Sequence, residues 1–307
     1  MKKFINKLLG ILVISSLVVI VITYVICYNE SDRLLFLSNS VSYNAKAAQA
    51  SRSSKFKNAK LLLIGSSMTL NNISAELLAD SLKIPTYNYS AWGMKLDELA
   101  DIVQEQNEYI YTNISFPDLQ KDEIIKKYGY PISQNKGLLE LNMLTDFSTF
   151  SGQVNELKKY TGKGSYLEYT NLKFDSSGSA LLQKDHFHIN AKRWNEKPIT
   201  FSTEDEGRFI ASIEKIRDRN KKIIIIISFS PSRSIFYNKS NTAKIDLFFS
   251  RIKEKYKNIY CLDHYDLAYS DSLFVDNSHF NDQGAILYSR VIAKDIITLL
   301  PEKILKQ

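Results

Sequence analysis

The chain has 307 residues, 44% of them hydrophobic and 24% charged, with a formal net charge of +7. That balance is ordinary for a globular protein and excludes a disordered chain or a multi-span membrane protein, while the length suits one large α/β domain with insertions. The positive charge comes from scattered lysines, with no dense basic block interleaved with aromatics, so nucleic acid is not an expected partner; anionic glycans or lipid headgroups are compatible ones.

The first element is an uncharged run from Leu8 to Tyr28, "LLGILVISSLVVIVITYVICY". At ~1.5 Å per residue a helix of that length spans about 30 Å, the thickness of a hydrocarbon core. The run is longer than the apolar region of a signal peptide and no small-x-small site follows it directly, so a retained anchor is expected over residues 1–28. Lys2, Lys3 and Lys7 precede it and Glu30, Asp32 and Arg33 follow, which by the positive-inside rule leaves the N-terminus in the cytoplasm and the remainder outside, at the cell membrane. Two cysteines make no disulfide framework: Cys27 ends the apolar run, and Cys261 sits far away in a strand-like stretch. The bulky Tyr24-Val25-Ile26 before Cys27 does not fit the cleavage site of a lipidation signal.

Residues 29–58, rich in Ser, Ala, Asn and Lys, read as a stalk with one helical stretch. From residue 59 to 307 short apolar runs alternate with helical periodicity, the pattern of a parallel sheet with crossover helices. "KLLLIGSS" is the first strand, "SAELLADSL" a helix capped by Ser74, "TYNYSAWG" the second strand and "KLDELADIVQEQ" the next helix. "YIYTNISF", closed by Pro117, is the third strand. The interval from about 118 to 200 has mixed periodicity and reads as an insertion. A helix over "STEDEGRFIASIEKIRDRN" follows, with Thr203 and Glu206 as its capping box. "KKIIIIISFS" is a strand buried on both faces, "AKIDLFFSRIKEKY" a helix, and "NIYCLDH" the last strand. A loop, "SLFVDNSHFNDQGA", and a final helix, "ILYSRVIAKDIITLL", close the chain.

In an open α/β sheet, reactive groups sit in loops at the carboxyl ends of strands. Three loops qualify: Gly65-Ser66-Ser67, the loop at Gly93, and Asp276 to His279. The spacing Asp276-x-x-His279 lets a carboxylate accept the imidazole Nδ1–H and fix the tautomer, leaving Nε2 as general base for a serine hydroxyl. A hydroxyl needs such a base to attack at neutral pH. Gly65 permits a sharp exit from the strand, and the backbone N–H groups of Ser67 and Gly93 are the expected oxyanion donors.

Together "LLLIGSSMT", "NYSAWG" and "VDNSHFNDQGA" resemble blocks I, II and V of the SGNH/GDSL hydrolase superfamily, over roughly residues 59 to 300. The first block, Gly-Ser-Ser in place of Gly-Asp-Ser, resembles the membrane-anchored extracytoplasmic branch associated with acyl transfer on cell-surface polymers. The resemblance implies a three-layer α/β/α domain with a mainly parallel sheet, flavodoxin-like in order. It implies Ser67 as nucleophile, His279 as base, Asp276 as its orienting acid and Gly93 as an oxyanion donor. It also implies a multi-span acyl exporter as a partner. The sequence departs from the family at the third block, which reads "NISFPDL": Asn113 lies within a strand and Asp118 is acidic, so neither supplies the usual Asn cleanly.

Asn88, Trp92 and Asn113 are the candidate substrate-binding residues, with Trp92 and Trp194 able either to stack on a sugar ring or to pack locally. His186 and His188 share a strand face, but zinc would need further ligands, so they read as polar residues of the insertion. His264 reads as a satisfied loop histidine. No metal or organic cofactor is expected. The resulting expectation is O-acyl transfer to, or ester hydrolysis from, a cell-envelope polysaccharide through a Ser67 acyl-enzyme. The alternative is a non-catalytic glycan-binding or scaffold module.

Overall fold

A computed structural model describes residues 2–29, 40–120, 173–183, 201–234 and 237–300. The chain divides into two compact units, one of Met1–Arg52 with Lys126–Lys163, the other of Ser53–Ile125 with Gly164–Gln307.

In the first unit, helix α1 (Lys2–Asn29) runs without a break through the apolar segment. Phe4, Leu8, Ile11, Leu12, Ile14 and Val18 are all exposed on it, so it has no polar face to turn to water. Among the described residues no helix is long and apolar enough to cross a membrane; the side chains described on α1 end at Val21. Helix α2 (Val41–Arg52) occupies most of the described part of the Ser/Ala/Lys-rich segment and buries Tyr43, Ala47 and Ala50.

The second unit is an α/β fold around five parallel strands: β1 (Leu61–Leu63), β2 (Thr86–Asn88), β3 (Tyr109–Ile114), β4 (Ile224–Phe229) and β5 (Ile259–Asp263), in the spatial order β2-β1-β3-β4-β5. This is a doubly wound order whose direction switches between β1 and β3, where the crevice at the carboxyl ends of the strands opens. All six residues of β3 and of β4 are buried. Both strands have a parallel neighbour on each side and helices on each face, which is why isoleucine runs without alternation through β4. Leu61, Leu63, Tyr109, Tyr111, Ile224 and Ile226 pack on one face with Leu78 and Leu82 of α5 (Ala75–Leu82) and Ile292 and Ile296 of the last helix, α10 (Asp282–Leu299). The alternate residues turn to the opposite face. There α8 (Thr203–Arg219) and α9 (Lys239–Lys255) meet through Phe209 and Phe248, whose rings stand 5.8 Å apart.

Local chemistry moves several boundaries. Ser53 caps the short helix α3 (Ser54–Lys57), whose Phe56 packs on Tyr87 and Tyr89 at 5.3 and 5.2 Å. The helix expected over "KLDELADIVQEQ" is only α6 (Leu96–Leu99) with a 3-10 turn at Ala100–Ile102. It stops because the Asn107 side chain accepts the Gln104 N–H at 2.7 Å and donates to the Ala59 carbonyl at 2.6 Å, turning the chain into β3. The capping box of α8 is Ser202 with Asp205, one residue before the expected pair. Glu206 instead turns inward, nearly buried, and pairs with Arg251 of α9. A short helix α7 (Phe116–Leu119) carries Pro117 in its first turn, where a missing N–H is tolerated.

Of the insertion, only 118–120 and 173–183 are among the described residues. Asn88 N–H donates to the Ser177 carbonyl at 2.8 Å and Ala180 N–H to the Leu70 carbonyl at 3.1 Å, so this segment is laced along the carboxyl end of β2. His186, His188 and Trp194 lie outside the described residues.

Candidate active site

Chain geometry at the end of β1 decides which serine is presented. The strand leaves through Gly65 at φ +151°, and a methyl group there would sit 2.5 Å from Thr69 Oγ1 and 3.1 Å from Thr112 Oγ1. Ser66 then caps helix α4 (Ser67–Asn72): it is extended, and its Oγ accepts the Met68 N–H at 3.2 Å. Ser67 is therefore the first helical residue, half-exposed, while Ser66 is buried and engaged. Residues Ser67–Asn72 are thus helical where the sequence pattern predicts a loop. Gly65→Ala is expected to lower unfolding free energy by about 1–3 kcal/mol through backbone strain and the Thr69 clash, seen as a lower midpoint in a thermal melt.

The opposing loop is built as tightly. Phe274 and Phe280 form an antiparallel bridge, their rings stack at 4.4 Å, and the Val275 N–H closes on the His279 carbonyl at 2.9 Å. Inside that closure Asp276 Oδ1 accepts the N–H groups of Ser278 and His279 at 2.9 and 2.8 Å. Asp276 Oδ2 lies 2.7 Å from His279 Nδ1, and His279 Nε2 lies 2.8 Å from Ser67 Oγ. A carboxylate can only accept, so Nδ1 carries the proton and Nε2 is free to accept the serine hydroxyl. Burial alone would raise the Asp276 pKa; the imidazole charge, its hydrogen bond and the two backbone N–H groups outweigh burial and hold the carboxyl well below the usual carboxylate range.

Alongside β1, the Ala91 N–H donates to the Gly65 carbonyl at 3.2 Å, laying the loop after β2 against the turn that carries Ser67. Gly93 in that loop takes φ +71°, a left-handed conformation suited to glycine, and is half-exposed. Neither the Gly93 nor the Ser67 backbone N–H has a hydrogen-bond acceptor among the described residues. Both are chemically able to hold a developing oxyanion.

The three candidate substrate-binding residues fare differently. Asn88 is fully buried, donating to the Thr69 carbonyl at 2.9 Å and accepting the Ser90 N–H at 3.0 Å. Asn113 is fully buried too: its Nδ2 donates to the Met68 carbonyl at 3.1 Å, and its Oδ1 accepts from Ser228 at 2.8 Å and Tyr288 at 3.2 Å. Both amides brace α4 from beneath, so neither reaches a ligand; buried amides take such partners because an unsatisfied one costs about 1–3 kcal/mol. Trp92 is half-buried on Leu70 and Ala180, with its indole N–H on Asn71 Oδ1 at 2.7 Å.

His264 is buried between Tyr288 OH and Asp295 Oδ2, each at 3.0 Å, and makes no hydrogen bond to Ser67 among the described residues. Burial lowers its pKa against the pull of Asp295. Cys261 is a free thiol whose pKa burial pushes up to about 12, so it offers no thiolate nucleophile. Among the described residues no group of three or more His, Cys, Asp or Glu side chains is placed to hold a metal ion.

No known family model matches the chain, and no curated protein matches it. Among solved structures it is similar to an acetyl xylan esterase, Est2A, from the rumen bacterium Butyrivibrio proteoclasticus, at 11% identity and a TM-score of 0.37. The match covers 79% of this chain and 64% of the esterase, so the chain spans less than two thirds of that protein's length.

Proposed function

We propose that the protein is a serine acyl-ester enzyme of the SGNH type that transfers an acyl group to, or hydrolyses it from, a cell-envelope polysaccharide. The observation that carries the reading is the continuous line Asp276 Oδ2, His279 Nδ1, His279 Nε2, Ser67 Oγ, with both contacts under 3 Å, between the loops at the ends of β1 and after β5. Ser67 Oγ attacks the ester carbonyl carbon as its proton passes to His279 Nε2. The carbonyl oxygen becomes an alkoxide facing the Ser67 and Gly93 N–H groups, each such donor typically lowering the barrier by about 3 kcal/mol. The C–O bond to the leaving alcohol breaks, His279 returns the proton to that oxygen, and an acyl-Ser67 ester remains. An incoming hydroxyl, of water or of a sugar, gives its proton to His279 Nε2 and attacks the acyl carbon; the bond from that carbon to Ser67 Oγ then breaks and His279 returns the proton to Oγ. Transfer and hydrolysis differ only in that second hydroxyl.

Exposed apolar side chains along α1, with Lys3 and Lys7 at its start, support a membrane anchor with a cytoplasmic N-terminus and an extracytoplasmic catalytic domain. The family resemblance adds a multi-span exporter, delivering the acyl group, as the proposed partner.

Serine-directed fluorophosphonate labelling of the full-length protein tests the chemistry, with the acetyl content of the surface polymer measured in the same cells. Labelling of wild type, absent in Ser67→Ala, together with a change in polymer acetyl content in the Ser67→Ala cells, a fall for a transferase and a rise for a hydrolase, is the expected result. One observation favours a second reading, a glycan-binding module without turnover: the third block lacks the family's usual asparagine donor, and the nearby Asn113 amide is engaged with Met68 and Ser230. No labelling of wild type and an unchanged polymer would select that reading.

A further inference from the structure

We propose that Asn72 is a positioning residue that holds the base, His279, in line with Ser67. The inference rests on the acyl-transfer reading above and extends it to a residue five positions beyond the nucleophile.

Ser67 and Asn72 are the two ends of α4. At its first residue the helix meets the His279 ring; at its last it grips the backbone on either side of the same histidine. Asn72 Nδ2 donates to the Ser278 carbonyl at 3.0 Å, and Asn72 Oδ1 accepts the Phe280 N–H at 2.9 Å. One fully buried amide thus brackets His279 with one donor and one acceptor bond. Its Nδ2 also reaches Ser230 Oγ at 3.5 Å, the hydroxyl that accepts from Asn113 at 3.3 Å. The helix is itself fixed to β3, since Asn113 N–H donates to Thr69 Oγ1 at 2.9 Å and Thr69 Oγ1 donates to the Asn113 carbonyl at 3.1 Å.

The consequence is geometric. Nucleophile and base come from loops 212 residues apart in sequence. A clamp on α4 references the base to the element that carries Ser67, so a shift of that helix carries His279 with it. Asparagine is suited to the position because one planar group must both donate and accept; Leu has the shape without either bond, and Ala leaves room for a water to take the place of the amide.

The test is the rate of fluorophosphonate labelling in full-length wild type, Asn72→Leu, His279→Ala and the double variant, with folding checked by circular dichroism. Asn72→Leu is expected to label on the order of 10²-fold more slowly, the scale of a small misplacement of a catalytic group, and to add less than about twofold in the His279→Ala background. Equal slowing in both backgrounds, or wild-type labelling by a folded Asn72→Leu, would overturn the inference. Asn72→Ala serves in the same cycle where the leucine variant does not fold. A readout independent of turnover is the downfield proton resonance of His279 Nδ1–H, assigned by its loss in His279→Ala. It is expected to move upfield in the Asn72 variants, and an unchanged resonance would sink the clamp. Wild type that never labels would count against the acyl-enzyme reading, with the resonance still deciding the role of Asn72.

Discussion

Replacing Ser67 by alanine is expected to reduce ester turnover by on the order of 10⁴–10⁶, and His279→Ala to cost nearly as much, because neither group attacks without the other. The double variant should then be little worse than either single one. Ser67 Oγ touches His279 Nε2 at 2.8 Å and is half-exposed, so its removal leaves no buried group stranded. Stability should change by less than about 0.5 kcal/mol, as for a surface substitution. Steady-state hydrolysis of a small acetyl ester, paired with a thermal melt, separates the two effects. Retained turnover in a folded Ser67→Ala protein would rule Ser67 out as nucleophile. Additive losses in the double variant would mean that the serine and histidine do not act as a unit.

Asp276→Asn is the second large effect, expected to lower kcat by about 10⁴. The reason lies in the direction of three hydrogen bonds. Asp276 Oδ1 accepts two backbone N–H groups while Oδ2 accepts from His279 Nδ1. An asparagine must keep its oxygen toward the backbone donors, so its NH₂ faces Nδ1. That choice forces Nδ1 to accept and Nε2 to carry the proton, which is the wrong tautomer to take a proton from Ser67. The same substitution has a signature in stability against pH. The carboxyl is held well below its usual range in the folded protein. Its contribution to stability is therefore fully present above the unfolded-state value of about 3.9 and is lost as pH falls below it, toward the folded value. Denaturant melts between pH 6 and pH 3, all on the full chain, should show wild type losing more stability than Asp276→Asn in the lower part of that range. Parallel curves would show that the Asp276 charge is not linked to folding.

Much of this architecture was legible because it is local. The apolar runs that became β1 to β5 are three to six residues long and flanked by turn residues, and burial on both faces leaves isoleucine and leucine uninterrupted. The Asp276-x-x-His279 spacing encodes its own turn, since the carboxylate reaches the N–H groups two and three residues on. What was not legible involves partners distant in sequence. Helix α4 has only six residues and depends on Ser66 at its start and on Asn88 and Asn113 beneath it. Too short to stand alone, it leaves no periodicity to read. Asn88 and Asn113 read as candidate ligand contacts because an asparagine near a strand end looks alike whether its amide faces solvent or a neighbouring carbonyl. Asn72 left no signal except its place five residues after Ser67.

The sequence by itself determined the parallel α/β sheet, the uncharged run from Leu8 to Tyr28 within the N-terminal helix, and a serine, an aspartate and a histidine in loops at strand ends. Those features follow from side-chain type and spacing over a few residues, the range within which backbone conformation couples neighbouring positions. Only the tertiary structure decided that Ser66 is spent as the cap of α4, that Asn88 and Asn113 brace that helix from below, and that Asn72 joins the two loops. The asparagine contacts are hydrogen bonds across the sheet or between strand ends. Their formation depends on which buried donors and acceptors the packed core brings within hydrogen-bonding distance, and a linear pattern carries no record of that distance.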